Sequence, residues 1–469
     1  MRNDLLRSTK GAPVAYQTIN PYTEQLVHTY PSHTDVEALA ALDAADALYR
    51  SAWSQGPIGL RTDVLSRLAD LLLERSDVLA EAMALEMGKP LAQGVGEIGL
   101  CAGIARYYAD HAEAQLAPAP IVSDKGEAWV QHHPIGVLLA IEPWNFPIYQ
   151  LIRVVAPAIA VGNPILFKHA SIVPLCAGLF HDLVLEAGAP EGAVTNLYIS
   201  SGQVAALIGD DRIQGVALTG SEGAGSIVAA RTAECLKKST MELGGSDVFV
   251  VLDDADVAAA AKAGAGARLA NAGQACTAAK RFVLQRGIAD QFLAAFIEEF
   301  RAVVLGDPMD PATTMGPLSS KGAVQGLAEQ VNAAVAHGAK ILVGGKPADR
   351  SGFFFEPTIL TDITRENPAY FEEFFGPVAQ VHIVEDDDAV AALANDSPYG
   401  LGGSIFSTDI ARARALASRI ETGMVFINTP TRSLPELPFG GVKRSGYGRE
   451  LGDVGIKEFV NRKLVVVGA

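Results

Sequence analysis

A cysteine, a glutamate and an asparagine stand in three short runs that carry the equipment for acyl chemistry. Cys276 ends Asn271-Ala272-Gly273-Gln274-Ala275-Cys276, a small-residue loop that presents a thiol without steric cover. Glu242 lies in Met241-Glu242-Leu243-Gly244-Gly245, a carboxylate beside paired glycines. A thiol nucleophile plus a carboxylate able to activate water is the minimum for forming a thioester and then hydrolysing it. Asn145, in Pro143-Trp144-Asn145-Phe146-Pro147, adds an amide donor for the oxyanion that forms when a thiol attacks a carbonyl. A thiol near its reference pKa is mostly protonated at neutral pH, so Cys276 needs helix-terminal dipoles or a bound cationic ligand to favour thiolate. Cys101, Cys176 and Cys235 fall in Ala/Leu-rich helical stretches and are expected to be buried and inert.

The elements that must hold these runs are legible from periodicity. Residues 35–118 have Ala/Leu-rich helical spacing, clearest over 63–73. From 134 to 255 the apolar runs 136–141, 165–167 and 248–252 alternate with helix-like stretches, which predicts βαβ units around a parallel sheet. After about 256 the pattern repeats, with strands expected at 340–343 and 424–427, so a second α/β domain follows. Residues 119–133 and 461–467 read as strands outside both domains, and Leu464-Val465-Val466-Val467 forms an apolar edge that needs a partner strand. Thr219-Gly220-Ser221-Glu222-Gly223-Ala224-Gly225 follows the strand candidate 215–218 and opens a helix, a turn through which backbone N–H groups approach a pyrophosphate.

Composition bounds the function from outside. With 469 residues, 49% hydrophobic and 19% charged, the chain suits two densely packed domains and no disordered linker. A net charge of -16 excludes nucleic acid and anionic membrane as expected partners. Four dispersed cysteines without a CxxC pair indicate neither a disulfide scaffold nor a metal site, which fits a reducing compartment. The N-terminus, with Arg2, Asp4, Arg7 and Lys10, has no signal-peptide core, and the uncharged stretch 154–167 is too short and too broken by Pro and Gly to span a bilayer.

Taken in order, the runs at 143–147, 219–225, 241–245, 271–276, Glu372-Glu373-Phe374-Phe375-Gly376-Pro377-Val378 and 438–443 resemble the aldehyde dehydrogenase superfamily over about residues 19 to 468. Residues 271–282 follow the Asn-x-Gly-Gln-x-Cys-x-Ala-Ala-Lys-Arg-Phe form of its bacterial NAD(P)-dependent succinate semialdehyde dehydrogenases. The resemblance implies an α/β aldehyde dehydrogenase fold: a Rossmann-like cofactor domain (1–118 and 134–245), an α/β catalytic domain (246–455) and a small β oligomerisation element (119–133 and 456–469). A cytoplasmic homodimer or homotetramer is the implied assembly.

The resemblance also implies roles. Cys276 attacks an aldehyde, Asn145 and the Cys276 N–H hold the oxyanion, hydride passes to NAD or NADP, and Glu242 takes a proton from water. Trp144, Lys168, Ser171, Gly220, Ser221, Gly225, Leu243, Glu373 and Phe375 match cofactor-binding positions. His169 stands where the family commonly has Pro, and Ser171 adds no negative charge where a Glu repels a 2'-phosphate, so NADP is permitted. Arg153, eight residues beyond Asn145 in the same expected helix, matches an Arg that grips the carboxylate of succinate semialdehyde, with Ser433 and Arg432 adding donors. Two departures stand out: Ala270 replaces a second Arg common in that group, and Ala278 replaces a redox-switch Cys. The alternatives are a dehydrogenase for another semialdehyde or a neutral aldehyde, or a non-catalytic cofactor-binding member; transfer of the acyl group to coenzyme A does not need Glu242.

Overall fold

The computed structural model describes residues 16–468, so the expectation about residues 1–15 lies outside the described part. The helical lead-in begins at Asp35–Tyr49, whose Thr34 and Glu37 form a reciprocal capping box. The expected 63–73 helix extends over Gly59–Glu74 and buries Val64, Leu65, Leu68, Leu71 and Leu72, one stripe at helical spacing. Against that helix pack the long Leu91–Leu116, Pro147–Val161 and Pro174–Glu186, and Ser76–Met87 packs in turn on Leu91–Leu116.

Two sheets carry the architecture. The first has six strands in the order Gly446–Tyr447, Lys238–Glu242, Ile213–Thr219, Val137–Glu142, Ile165–His169, Val194–Asn196. All are parallel except the first, which runs antiparallel and brings a C-terminal segment back to the N-terminal half. The inner strands are apolar on both faces because helices cover both. Leu138, Ala140, Ile165 and Phe167 face the helical core, while Val137, Leu139, Leu166 and Val216 face the opposite layer. The second sheet has seven strands, Lys340–Val343, Thr358–Thr361, Val378–Val384, Ala279–Gln285, Asp247–Val251, Gly403–Phe406 and Phe426–Ile427, parallel except at the Lys340 edge.

The expected strand at 424–427 shrinks to Phe426–Ile427. The expected 119–133 strand is two, Ala119–Ile121 and Gly126–Pro134, separated by a turn that ends at Gly126 with φ 122°, where glycine bears no steric penalty. Val460–Gly468 pairs antiparallel with the whole of Gly126–Pro134. Its other edge is open in the single chain, with Leu464, Val466 and Val467 about half exposed. Cys101 and Cys176 are buried in helices as expected, but Cys235 caps a helix C-terminus and is half-buried. No described helix is long and apolar enough to cross a membrane.

Candidate active site

Cys276 lies in the connection between the helix Val257–Leu269 and the strand Ala279–Gln285. Asn271, Ala272 and Gly273 are consecutive left-handed residues, with φ of 53°, 53° and 74°. Asn and Gly accept this conformation readily, whereas for Ala272 it costs roughly 1–2 kcal/mol, which surrounding contacts must repay. Those contacts are present. Asn271 donates its backbone N–H to Gln93 Oε1 at 2.8 Å and its side-chain amide to the Asn145 carbonyl at 2.8 Å. Ser319 N–H donates to Gln274 Oε1 at 2.9 Å, and the Arg268 guanidinium donates to the Gly273 carbonyl. The half-buried Cys276 thiol is thereby fixed, and burial pushes its pKa up to about 11 against the opposing fields of Arg153 and Lys280. In this resting arrangement the thiol is protonated at neutral pH.

Asn145 sits between the strand Val137–Glu142 and the helix Pro147–Val161. A buried ion pair of Lys89 and Glu97 holds this turn: Lys89 Nζ donates to the Asn145 carbonyl at 3.0 Å, and Glu97 Oε1 accepts from the N–H groups of Ile148 and Tyr149, each at 3.0 Å. A carboxylate at a helix N-terminus satisfies donors that have no intrahelical acceptor. Asn145 Nδ2 points toward the nucleophile loop, donating to the Gln274 carbonyl at 3.0 Å. The geometry therefore brings an amide donor to the loop that carries the thiol.

Glu242 ends the strand Lys238–Glu242 and is only 2% exposed, with neither oxygen hydrogen-bonded among the described residues. Gly440, at φ 148°, packs so close that a Cβ there would lie 2.6 Å from Glu242 Oε1. Burial, and then the neighbouring Glu450, raise the Glu242 pKa well above the carboxylate range, with Arg153 opposing. Glu142 and Glu450 are raised in the same way, by burial first. Three acidic groups thus share the field of one central guanidinium.

That guanidinium is Arg153, and here the structure corrects the sequence reading. Arg153 is 0% exposed and lines neither cleft that reaches Cys276. It pairs with Glu450, donates to Thr219 Oγ1 at 2.9 Å and Tyr149 Oη at 3.3 Å, and stacks over the Tyr149 and Phe439 rings at 5.0 and 4.6 Å. The helix Pro147–Val161 is buried along almost its whole length, so its single cation finds internal acids rather than solvent or ligand. Glu450, the partner that decides this, is remote in sequence and gave no local signal.

Two clefts meet at Cys276. One is walled by Trp144, Asn145, Thr219, Gly220, Ser221, Leu243, Gly244, Glu373 and Phe375, with the Trp144 and Phe375 rings edge-to-face at 5.8 Å. This cleft meets the physical requirements of a dinucleotide site. The first-turn N–H groups of Glu222–Glu234 open onto its Gly220-Ser221 end, the C-terminal ends of parallel strands form its rim, and aromatic walls flank the Cys276 end. Gly225 lies beneath it, where a Cβ would fall 2.5 Å from Leu243. Lys168 lies within the neighbouring strand Ile165–His169 and Ser171 follows it, but neither lines the cleft; Lys168 Nζ donates to the His169 carbonyl at 3.1 Å. His169 is buried and neutral, its pKa lowered to about 4 by burial, with Nε2 and the Pro147 carbonyl 2.8 Å apart.

The second cleft runs from Cys276 past Phe146, Tyr149, Gln150 and Ala270 to Thr431, Arg432 and Ser433. Ser433 Oγ accepts from Tyr149 Oη at 2.6 Å, which leaves the Ser433 hydroxyl proton free to donate elsewhere. Arg268 is fully buried behind the nucleophile loop, so Ala270 leaves the middle of this cleft without a cation. Sequence reasoning passed over Lys89, Glu97, Gln93, Lys280 and Glu450. Of these only Lys280 carried a usable signal, its place four residues after Cys276; the others act through long-range pairs.

The aldehyde dehydrogenase family profile matches residues 8–465. A succinate-semialdehyde dehydrogenase [NADP(+)] from Deinococcus radiodurans is 48% identical over 450 residues, 96% of this chain and 94% of that protein. A probable succinate-semialdehyde dehydrogenase [NADP(+)] from Synechocystis is 44% identical over 96% of this chain and 99% of its own. The crystal structure of succinic semialdehyde dehydrogenase from Streptococcus pyogenes in complex with NADP+ superposes with a TM-score of 0.96 at 46% identity, covering 97% of this chain and 100% of that one. With that match spanning both sheets, both clefts and the thiol between them, this chain is a member of the aldehyde dehydrogenase family.

Proposed function

We propose that this enzyme oxidises succinate semialdehyde to succinate with NADP, through a thioester on Cys276. The observation that carries the reading is the meeting of the two clefts at Cys276: one shaped for a dinucleotide, the other leading outward to Arg432 and Ser433. The names of the relatives support the same substrate and cofactor.

Bound NADP supplies the hydride acceptor. The chain supplies the rest. Cys276 Sγ adds to the aldehyde carbon, and the Asn145 amide and the Cys276 N–H stabilise the oxyanion. Asn145 is pre-oriented by Lys89, Asn271 and Gln150. Glu242 takes a proton from the water that hydrolyses the thioester, and the burial that raises its pKa makes it a stronger base than a solvent-exposed carboxylate. Trp144, Gly220, Ser221, Leu243, Glu373 and Phe375 hold the cofactor, Gly225 lets the helix approach it, and Lys168 with Ser171 takes the adenosine ribose and its 2'-phosphate. Ser433 and the exposed Arg432 grip the substrate carboxylate, and Arg153 is released from that role.

In the same reading, the described residues up to 118 with 134–245 form the cofactor domain and 246–455 the catalytic domain. The open edge of Val460–Gly468 joins subunits into a homodimer or homotetramer. Four free cysteines suit a cytoplasmic setting.

The test is reduced-cofactor formation with succinate semialdehyde, butanal and benzaldehyde, each with NAD and NADP. The semialdehyde with NADP should be the best pair. Ser433→Ala should raise KM for the semialdehyde about 10- to 100-fold, the loss of a hydrogen bond to a charged group worth about 1.5–3 kcal/mol, while sparing butanal. Equal rates on butanal in the parent enzyme would instead assign a neutral aldehyde.

A further inference from the structure

Lys280 is the second residue of the strand Ala279–Gln285 and is 0% exposed. Its ammonium donates to the Ala275 carbonyl at 2.8 Å and the Cys276 carbonyl at 2.7 Å, and it pairs with Glu373 Oε1 at 2.9 Å. An ammonium has three N–H groups, so this one is saturated. Two of its partners belong to the nucleophile's own peptide units, and the third is the carboxylate on the wall of the dinucleotide cleft.

The junction is close-packed. Glu373 Oε1 also accepts from the Gly245 N–H at 3.2 Å. A Cβ on Gly244 would fall 2.4 Å from Glu373 Oε2, and one on Gly245 would fall 2.7 Å from the Cys276 carbonyl. The paired glycines after Glu242 therefore let Glu373 and the Cys276 backbone approach one ammonium. Asp247 and Arg268 are the other charged groups whose fields act here, and Arg153 acts on the thiol from the carboxylate cluster.

We infer that Lys280 is a positioning residue that couples occupancy of the cleft at Glu373 to the reactivity of Cys276. The inference rests on the proposed roles of Cys276 as nucleophile and Glu373 as cofactor ligand. A ligand that engages Glu373 changes how that carboxylate shares the ammonium, and the same ammonium sets the position and field of the Cys276 peptide. Lys280 favours the Cys276 thiolate and Glu373 opposes it, so the two halves of the pair act on the thiol with opposite sign. By linkage, whatever cofactor does to the thiol, the state of the thiol does to cofactor affinity.

The experiment is iodoacetamide labelling of Cys276, read peptide by peptide by mass spectrometry so that the half-buried Cys235 does not contribute, across pH 7–10 and with or without NADP. Lys280→Met, of similar length and apolar, should slow labelling of the free enzyme about tenfold at fixed pH and raise the NADP dissociation constant several-fold. It should also abolish the change in labelling rate that NADP causes in the parent. Glu373→Gln should speed labelling of the free enzyme several-fold, opposite in sign, which a merely structural role for the pair would not produce. If Lys280→Met does not fold, the sign of the Glu373→Gln effect decides. Unchanged labelling profiles in the folded variants would overturn the inference. Cys276→Ser separates it from the reading on which it rests: surviving turnover there would sink the nucleophile assignment, while abolished turnover with parent-like Lys280→Met would sink only the coupling.

Discussion

Replacing Arg153 by methionine distinguishes an internal counter-ion from a substrate anchor. Arg153 is fully buried and paired with Glu450, with Glu242 and Glu142 acting on the same guanidinium. Methionine keeps most of the volume but leaves buried acids without their central cation, and removing one partner of a buried pair costs about 3–5 kcal/mol. That is a large share of the roughly 5–15 kcal/mol by which folded domains are stable. The carboxyls respond by holding protons more tightly. A carboxyl whose folded pKa lies above its unfolded value of 4.5 contributes stability that is full below that value and is lost as pH rises through the folded one. The deficit of Arg153→Met should therefore be smallest near pH 4.5 and grow toward pH 8. Urea unfolding at pH 5 and pH 8 measures it, and kcat/KM for succinate semialdehyde and for butanal, taken at 15 °C where the variant remains folded, should fall by the same factor. A variant as stable as its parent, with its loss confined to the acidic aldehyde, would refute the argument and return Arg153 to the substrate.

Three further predictions follow from the site. Labelling of Cys276 in the cofactor-free enzyme should rise about tenfold per pH unit between pH 7 and 10, because a thiol with pKa near 11 gains thiolate in that proportion; a plateau below pH 9 would contradict the burial effect. Glu242→Gln should preserve the pre-steady-state burst of reduced cofactor while lowering steady turnover about 10²- to 10⁴-fold, and survival of both would remove Glu242 as the base. Ser171→Glu should weaken NADP at least tenfold relative to NAD in a two-cofactor KM comparison, since it sets a carboxylate where the 2'-phosphate is proposed to bind; an unchanged ratio would place that phosphate elsewhere.

The parts of the molecule legible in the sequence are those governed by local rules. The strands at Val137–Glu142, Ile165–His169 and Lys340–Val343 follow from short apolar runs, and the turn at Gly220-Ser221 from its glycines between a strand candidate and a helix-like run. Cys276 and Asn145 were visible as side chains with chemistry in small-residue or proline-bounded turns, and the structure brings both to one place. The fate of Arg153 was not visible, because spacing along a helix says which way a side chain points but not which distant acid waits there. Lys89 and Glu97 escaped for a related reason. They lie at the end of one helix and within the next, and their task, fixing the Asn145 turn, exists only after the helical layer docks on the sheet. The strand expected at 424–427 shortened because its partner Gly403–Phe406 pairs with it only at Ser404 and Ile405, a long-range register that an apolar run does not reveal.

The antiparallel strand Gly446–Tyr447 and the segment after it have a consequence for how the chain matures. They carry Glu450 to Arg153, seat the Phe459 carbonyl on Asn163 at 2.8 Å, and zip Val460–Gly468 along Gly126–Pro134. A nascent chain therefore holds Cys276, Asn145 and Glu242 long before the residue that neutralises Arg153 has been synthesised. The acid–base cluster closes in a late, long-range step, and loop closure over such separations is slow. During refolding, secondary structure should return well before catalytic activity, and the enzyme becomes active only when the segment 446–468 has found residues 126–163.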